Sequence, residues 1–180
     1  MPEVGEGVWR FNDKCPRCGS EFMISGYLHE IPLIGKVIIS VGRCSKCGYR
    51  YSDVKAAESK GPQRLILKVE DQNDLNVLVL KAATASYKIP ELGIKADPGP
   101  ASQGFITTVE GLLDRVLEVL ELLRDDPEVN QSEREKREKM IKEAIEGKRK
   151  FTLIIDDPEG VSRIISDKVI RLDLHSKYIS

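Results

Sequence analysis

Two short cysteine motifs constrain this chain of 180 residues more than any other feature. They are Cys15-Pro-Arg-Cys18 and Cys44-Ser-Lys-Cys47, and a glycine follows each of them. The turn in a C-x-x-C motif aims two sulfur atoms at one point, and a glycine after it allows the chain to leave with a positive φ at little cost. Two such turns on neighbouring hairpins complete a tetrahedron of four thiolates. The spacing therefore predicts one metal site formed by Cys15, Cys18, Cys44 and Cys47.

Other uses of four cysteines fit the sequence less well. A redox C-x-x-C motif usually occurs once, near a βαβ pattern, and here the motif occurs twice. Two disulfide bonds conflict with an intracellular chain, because thiols stay reduced there. We expect zinc, and iron in a rubredoxin-like site stays an alternative because four thiolates hold either metal. Since protein fills all four ligand positions, the single expected ion is structural and contributes folding free energy rather than chemistry.

Composition and charge exclude several classes of protein. Hydrophobic residues make up 41% of the chain, so it can build a core and is not wholly disordered. The 28 basic and 29 acidic side chains give a formal net charge of −1, which leaves no general basic field for nucleic acid. No apolar run approaches the roughly 20 residues of a membrane span, and the N-terminus lacks the pattern of a signal peptide. We therefore expect a soluble, cytoplasmic protein without a membrane partner.

The segment between the two motifs is predicted to form a β-hairpin. Two β-prone runs, 22–31 and 36–41, are separated by a break that contains Pro32 and Gly35. One cysteine motif then lies at the root of each strand, as the metal site requires. The polar stretch 55–63, with its Gly-Pro pair, marks a boundary after this hairpin.

The cysteine segment is also locally basic. Residues 14–55 carry seven basic side chains against three acidic ones, a net charge of +4. Basic side chains beside aromatic ones suit nucleic acid, and they equally suit an acidic protein surface or serve solubility alone. The candidate partner-binding residues are those next to the motifs: Arg17, Lys46, Tyr49 and Arg50.

We predict two domains, a zinc-ribbon finger over residues 1–55 and a β lobe over residues 56–180. β-like runs lie at residues 64–70, 75–89, 151–155, 161–165 and 169–174. Apolar residues at helical spacing occupy positions 109, 112, 113, 116, 117, 120 and 123. The helical hairpin, about 107–147, thus lies between strands, so the lobe is mainly β with an α insertion.

The starts of the two helices are predicted from capping patterns. Thr107 and Glu110 resemble a capping box at the first helix, because Glu110 follows three residues after Thr107. The second helix, about 131–146, opens with Ser132 and an acidic residue three positions later. Its apolar side is narrow, so most of its surface is expected to face solvent.

Candidate catalytic groups are few. The two histidines, His29 and His175, are far apart in the sequence and more typical of surface or core positions. Asp156 and Asp157 follow each other on a predicted strand, so they point to opposite faces and do not form one acid/base pair. Pro158 after them favours a turn. We expect a protein that is not an enzyme and has no catalytic residues.

Several segments together resemble one known family. They are CPRCG and CSKCGYRYSDV around the cysteines, TTVEGLL at 107–113 and FTLIIDDPEG at 151–160. These segments resemble the ZPR-type zinc-finger proteins over about residues 12–170. The resemblance implies a zinc ribbon similar to that of translation initiation factor two. It also implies that a double-stranded β-helix, a jelly-roll-like lobe carrying a helical hairpin, follows the ribbon.

The resemblance further implies a function. Eukaryotic members bind translation elongation factor 1-alpha, assist its folding, can bind a receptor tyrosine kinase tail and carry the finger-plus-lobe unit twice. A single unit implies an archaeal-type member that dimerises or holds its partner more weakly. We expect a zinc-dependent adaptor or chaperone for elongation factor 1-alpha. The alternatives are a nucleic-acid-binding zinc ribbon acting in translation or transcription, and a small-molecule site or enzyme inside the lobe.

Overall fold

The computed structural model describes residues 7–174, with side chains from Trp9 onward. His175 lies outside the described residues. Within this range twelve strands form three antiparallel sheets, accompanied by a few helices. The mainly β architecture with a helical insertion, expected from the sequence, is confirmed. No helix in the described range is long and apolar enough to cross a membrane.

The first sheet contains both cysteine motifs. Its four strands are hydrogen-bonded in chain order: β1 (Gly7–Lys14), β2 (Glu21–Ile31), β3 (Gly35–Arg43) and β4 (Arg50–Ala56). The predicted hairpin is β2–β3, and its turn places Leu33 and Gly35 at positive φ. One cysteine turn joins β1 to β2 and the other joins β3 to β4. Both motifs therefore meet at the same end of this sheet.

Two further sheets form the second lobe. The strands are β5 (Gln63–Val69), β6 (Leu78–Lys81), β7 (Ser86–Ile89), β8 (Ile94–Ala96), β9 (Phe105–Thr108), β10 (Phe151–Asp157), β11 (Arg163–Ile164) and β12 (Ile170–Asp173). One sheet has the order β12-β5-β10-β7-β8, and the other has the order β11-β6-β9. Both sheets are open in the described range, so the lobe is a jelly-roll-like stack without a closed barrel.

The β-like run 75–89 is not one strand. It begins in a short helix, α1 (Gln72–Leu75), and then splits into β6 and β7, which belong to different sheets. The split lies at a turn of small residues in which the Ala85 N–H donates to the Ala82 carbonyl at 3.2 Å. Both alanines are buried. Small side chains allow the chain to turn inside the core, a feature that β-propensity alone does not reveal.

The helical hairpin consists of α2 (Val109–Leu122) and α3 (Gln131–Ile145). Its two predicted caps were wrong by one and two residues. Thr108, the last residue of β9, caps α2 by accepting the Gly111 N–H at 3.0 Å. Asn130 caps α3 by accepting the Glu133 N–H at 3.2 Å. Ser132 therefore lies inside the first turn of α3, where its neighbours are already helical.

The finger sheet and the β lobe share the main core. Helix α2 contributes Val109, Leu112 and Leu113, all fully buried, which confirms that its predicted apolar stripe faces a core. The finger sheet contributes Val37 and Ala56 to the same cluster. One continuous core thus holds the far end of the finger sheet and leaves its cysteine end free of the lobe's hydrophobic cluster.

Candidate metal centre

Each cysteine turn is closed by the same two backbone hydrogen bonds. In the first turn, the Cys15 N–H donates to the Ser20 carbonyl at 2.8 Å, and the Gly19 N–H donates to the Cys15 carbonyl at 2.8 Å. The second turn repeats them from Cys44 and Gly48, at 2.8 and 2.9 Å. The two motifs are therefore near-copies in conformation, and each presents two thiols on one side of its turn.

The glycines after the motifs are required by backbone conformation. Gly19 has a φ of 71° and Gly48 has a φ of 74°, as the sequence predicted. A Cβ atom added at either position would meet nothing within 4 Å. Strain in the left-handed region, and not lack of space, therefore favours glycine at both positions.

The four thiols converge on one point. All four sulfur atoms lie within 4.8 Å of one another. The Sγ atoms of Cys15 and Cys47 are 3.5 Å apart, and those of Cys18 and Cys44 are 3.6 Å apart. A zinc ion with Zn–S bonds of about 2.3 Å needs sulfurs about 3.8 Å apart at the corners of its tetrahedron. The four cysteines are free thiols positioned to bind a metal ion, and their donor set fits zinc.

The thiols themselves favour a bound cation. The side chain of Ser20, with its backbone N–H, lowers the pKa of Cys18 to about 6. A backbone hydrogen bond at Tyr49 lowers the pKa of Cys47, but burial and the other three cysteines outweigh it and raise that pKa to about 12. Cys18 therefore loses its proton easily, whereas loss of the proton from Cys47 is opposed. A divalent cation removes this opposition, so metal binding is expected to release protons.

Aromatic side chains surround the metal centre. Cys15 and Cys44 are 2% and 0% exposed and pack in a small cluster with Phe22. The Phe22 ring meets Tyr49 edge-on, with centroids 6.1 Å apart. Trp9 covers Gly26 so closely that a Cβ atom there would lie 2.3 Å from its ring. This shell holds the cysteine turns in place and shields the buried sulfurs from water.

The candidate partner-binding residues do not share one face. Arg17 and Lys46 are exposed on the two cysteine turns. Tyr49 is half-buried against the cysteines, and Arg50 is exposed at the start of β4. Consecutive residues of an extended chain point in opposite directions, which separates Tyr49 from Arg50. Their role in partner binding stays a prediction.

Apart from Arg50, the sequence analysis missed a surface on the opposite face of the finger sheet from the Phe22 cluster. This surface, which we call the Met23–Arg50 surface, consists of Met23, Val41, Arg43 and Arg50, which line one shallow cleft. Met23 is 53% exposed and Val41 is 41% exposed. The available signal was the period of two in β2 and β3, which puts apolar residues on both faces of the sheet.

Asp156 and Asp157 lie on opposite faces of β10, as predicted. Asp156 is paired with Arg64 through an Nη2–Oδ2 hydrogen bond of 2.8 Å. Asp157 is fully buried and accepts the backbone N–H of Ser162 at 2.5 Å. Each of the two carboxylates thus stabilises local structure. His29, a candidate from the sequence, lies on β2 in a half-buried position.

The interior of the lobe is filled with apolar side chains. The fully buried positions include Leu67, Leu80, Leu153 and Ile155. Ser162, also buried, has its carbonyl bound by the Gln63 side-chain amide at 3.0 Å. This packing contradicts the idea of a small-molecule site in the centre of the lobe.

Comparisons with known proteins agree with this architecture. Residues 7–61 match the model of the ZPR1 zinc-finger domain, and residues 73–176 match that of the ZPR1 jelly-roll domain. A ZPR1-like protein of Methanocaldococcus jannaschii is 40% identical over 168 residues, covering 91% of this chain and 84% of the relative. A ZPR1-like protein of Pyrococcus horikoshii is 39% identical over 162 residues, covering 86% and 73%.

A eukaryotic relative is matched over a smaller part of its length. The zinc finger chaperone zpr1 of Schizosaccharomyces pombe is 37% identical over 159 residues, which is 84% of this chain and 34% of that protein. The matched finger contains the four-cysteine centre, and the matched jelly-roll domain contains strands β6 to β12 with the helical hairpin. This chain belongs to the ZPR1 zinc-finger family, with one zinc finger followed by one jelly-roll domain in its matched residues, as in its archaeal relatives of about 40% identity.

Proposed function

We propose that this protein is a zinc-dependent interaction module that serves as a chaperone or adaptor for elongation factor 1-alpha. The name of the fission yeast relative, zinc finger chaperone, supports the chaperone part of the proposal. The observation that carries a protein partner is the Met23–Arg50 surface, which combines exposed apolar side chains with two arginines. Binding sites for proteins combine these features more often than ordinary surface does.

The two arginines of this surface need an acidic partner. Arg43 and Arg50 are directly opposite each other on β3 and β4. Like charges in directly opposed positions destabilise a sheet pair. In the described part of the chain, neither guanidinium forms an ion pair with a carboxylate within 4.0 Å. An acidic protein surface would supply the missing carboxylates, while Met23 and Val41 would bury apolar area against it.

Zinc would act here by holding the finger sheet in a rigid shape. A site with four protein ligands leaves no open position for water or substrate, so we propose that the protein is not an enzyme. Because its proposed partner is a translation factor, we place its action in the cytoplasm.

The test is capture of purified elongation factor 1-alpha by the full zinc-loaded chain. We expect capture, and we expect its loss after zinc removal or in the double variant Arg43→Glu/Arg50→Glu. A matched control is Lys136→Glu/Lys139→Glu, which makes the same charge change on exposed positions of α3 and should keep capture. Capture that survives both the finger variant and zinc removal would contradict a role for the finger.

The same experiment distinguishes a protein partner from a nucleic-acid partner. Nuclease treatment should leave capture unchanged if the partner is a protein. Loss of capture after nuclease, with RNA binding whose salt dependence weakens when Arg17, Lys46 and Arg50 are neutralised, would replace this proposal by a nucleic-acid-binding ribbon. Light scattering on the same sample measures whether the chain dimerises, which was one of the two alternatives for a single unit.

A further inference from the structure

A cleft beside helix α2 contains a buried lysine that the zinc finger does not explain. The cleft has a volume of about 330 Å³ and lies between α2, the end of β6, and strands β7 and β8. Lys81, the last residue of β6, lines it and is only 4% exposed. A lysine buried to this extent loses much of its hydration, a cost that an anion or hydrogen bonds to the ammonium group would offset.

The protein supplies little of this compensation. Among residues 7–174, Lys81 Nζ forms no hydrogen bond and no ion pair within 4.0 Å, and its one ring contact is Phe105, 5.8 Å from the centroid. Burial lowers the pKa of Lys81, while the charges of Asp157 and Asp53 oppose this shift. Both carboxylates already accept a backbone N–H, at 2.5 and 2.6 Å. Lys81 therefore lines the cleft with an ammonium group that has no carboxylate within 4.0 Å in the described range.

Two further donors line the same cleft. The guanidinium of Arg115 lies over the Phe105 ring, with Cζ 4.3 Å from the centroid. Tyr87 is half-buried beside them, and its hydroxyl lies within the field of Arg115. In the described range neither side chain forms a hydrogen bond or an ion pair. Lys95, which also lines the cleft, differs because its ammonium is already paired with Asp97 at 2.6 Å.

We propose that this cleft, the Lys81 cleft, binds an organic anion in which a carboxylate or phosphate is attached to a small apolar or aromatic group. Lys81 and Arg115 supply positive charge, and Tyr87 supplies a neutral donor. Ile94, Phe105 and Val116 form apolar walls beside these donors. A pocket of this size with a few convergent polar groups is typical of small-ligand sites. The site is independent of the zinc finger and of the proposed elongation-factor partner.

The test is an NMR titration of the full zinc-loaded protein, in which binding is monitored through the backbone amide chemical shifts. The probes are benzoate and phenyl phosphate, with benzamide as the neutral analogue and inorganic phosphate as the anion without a ring. We expect saturable shifts around the Lys81 cleft, with at least one aromatic anion binding about tenfold more tightly than benzamide. The tighter of the two aromatic anions identifies the preferred acid group. Equal binding of benzamide or of inorganic phosphate would overturn the proposal, as would the absence of saturable shifts.

Variants test whether Lys81 and Arg115 contribute to binding and whether Lys95, which is already paired, does not. Arg115→Gln and Lys81→Met should each weaken binding of the preferred anion by about tenfold, because each removes one charged donor. Lys95→Met removes a cation that already has a carboxylate and should change affinity by less than about threefold. Arg115 is exposed, so its variant tests the site even where Lys81→Met alters folding, which thermal unfolding would reveal. Unchanged affinity in Arg115→Gln would contradict the proposal.

Discussion

Asp156 and Asp157 differ by one position on β10 and have different roles. Asp156 lies on the outer face, where Arg64 and Lys88 surround it. Asp157 lies on the inner face, fully buried, and its two oxygens accept the backbone N–H groups of Glu159 and Ser162. A buried carboxylate is tolerated because charge-assisted hydrogen bonds replace its water. Asp157 therefore shapes the turn that follows β10.

Replacing Asp157 should destabilise the lobe strongly. In Asp157→Ala the N–H groups of Glu159 and Ser162 lose their acceptor, and that of Ser162 stays in a buried position. We expect a loss of about 3 kcal/mol in the free energy of unfolding, measured by urea denaturation. The exposed neighbour provides a control, since Glu159→Ala keeps the backbone and should change stability by less than about 0.5 kcal/mol. A loss of similar size in both variants would argue against this role of Asp157.

Asp156 should make stability depend on acid pH. The side-chain hydrogen bond from Arg64 lowers the pKa of Asp156 in the folded protein, and burial opposes this only in part. The stabilisation is fully present above the ordinary aspartate pKa of about 3.9 and is lost as the pH falls through the lower folded pKa. Asp156→Asn should therefore lose less stability than the parent between about pH 5 and pH 2 in urea denaturation. Asp114→Asn, which removes the same charge at an exposed position of α2, is the matched control.

The start of α3 is set by a local hydrogen bond. Asn130 accepts the Glu133 N–H, so Asn130→Ala should cost about 1 kcal/mol of unfolding free energy. Ser132→Ala provides the matched comparison at the position that the sequence pattern favoured. Because alanine is preferred inside helices, this variant should keep or slightly increase the stability. Thermal unfolding of both variants measures the difference, and a larger loss in Ser132→Ala would contradict the cap at Asn130.

The finger sheet should depend on zinc only at its cysteine end. That end packs through the small Phe22 cluster, whereas Val37 and Ala56 at the far end belong to the main core. We expect a chelator to abolish hydrogen-exchange protection in β1 and around both cysteine turns, while β5 and β10, which pair over seven residues, stay protected.

Two variants in the second cysteine turn test the role of the metal directly. Cys44→Ser removes one ligand and should reproduce the effect of the chelator even with zinc present. Ser45→Ala changes the exposed neighbour within the same turn and should leave protection unchanged. Full protection of the finger after chelation would show that the metal is not needed for its folding.

The finger and the jelly-roll lobe meet through backbone contacts as well as through the shared core. The Asp53 carboxylate on β4 accepts the Gly104 N–H at 2.6 Å. The Ala56 N–H donates to the Val161 carbonyl at 3.1 Å. These bonds connect the last strand of the finger sheet to two separate segments of the lobe. The orientation of the finger is therefore held by hydrogen bonds on more than one side.

Gly104→Ala should loosen this junction. A Cβ atom at Gly104 would lie 2.2 Å from the Val54 carbonyl oxygen, which belongs to the backbone and cannot move aside easily. We expect a loss of about 2 kcal/mol or more in the free energy of unfolding, with weaker exchange protection along β4. Gly99→Ala is the control, because a Cβ atom there would meet nothing within 4 Å. Equal stability of the two variants would contradict a tight junction at Gly104.

Local patterns in the sequence were sufficient for much of the protein. The C-x-x-C spacing with Gly19 and Gly48 predicted the metal centre, because the geometry of each turn depends on a few adjacent residues. The helical stripe and the opposite orientation of Asp156 and Asp157 follow from the periods of helix and strand. Such features need no knowledge of which distant segments meet. The capping residues were misplaced by one or two positions because Thr107 and Thr108, like Asn130 and Ser132, are all suitable caps, and the sequence pattern does not say which of them precedes the first helical turn.

Contacts between distant segments were decided only in the tertiary structure. The run 75–89 divides between two sheets because its alanines turn inside a core built from other segments. The Lys81 cleft exists because β6, β7, β8 and α2 pack side by side, although Lys81 and Arg115 are far apart in the chain. The sequence alone therefore determined the metal ligands and the periods of its helices and strands. Sheet order, the shared core and the surfaces open to partners depend on long-range packing, which no local pattern specifies.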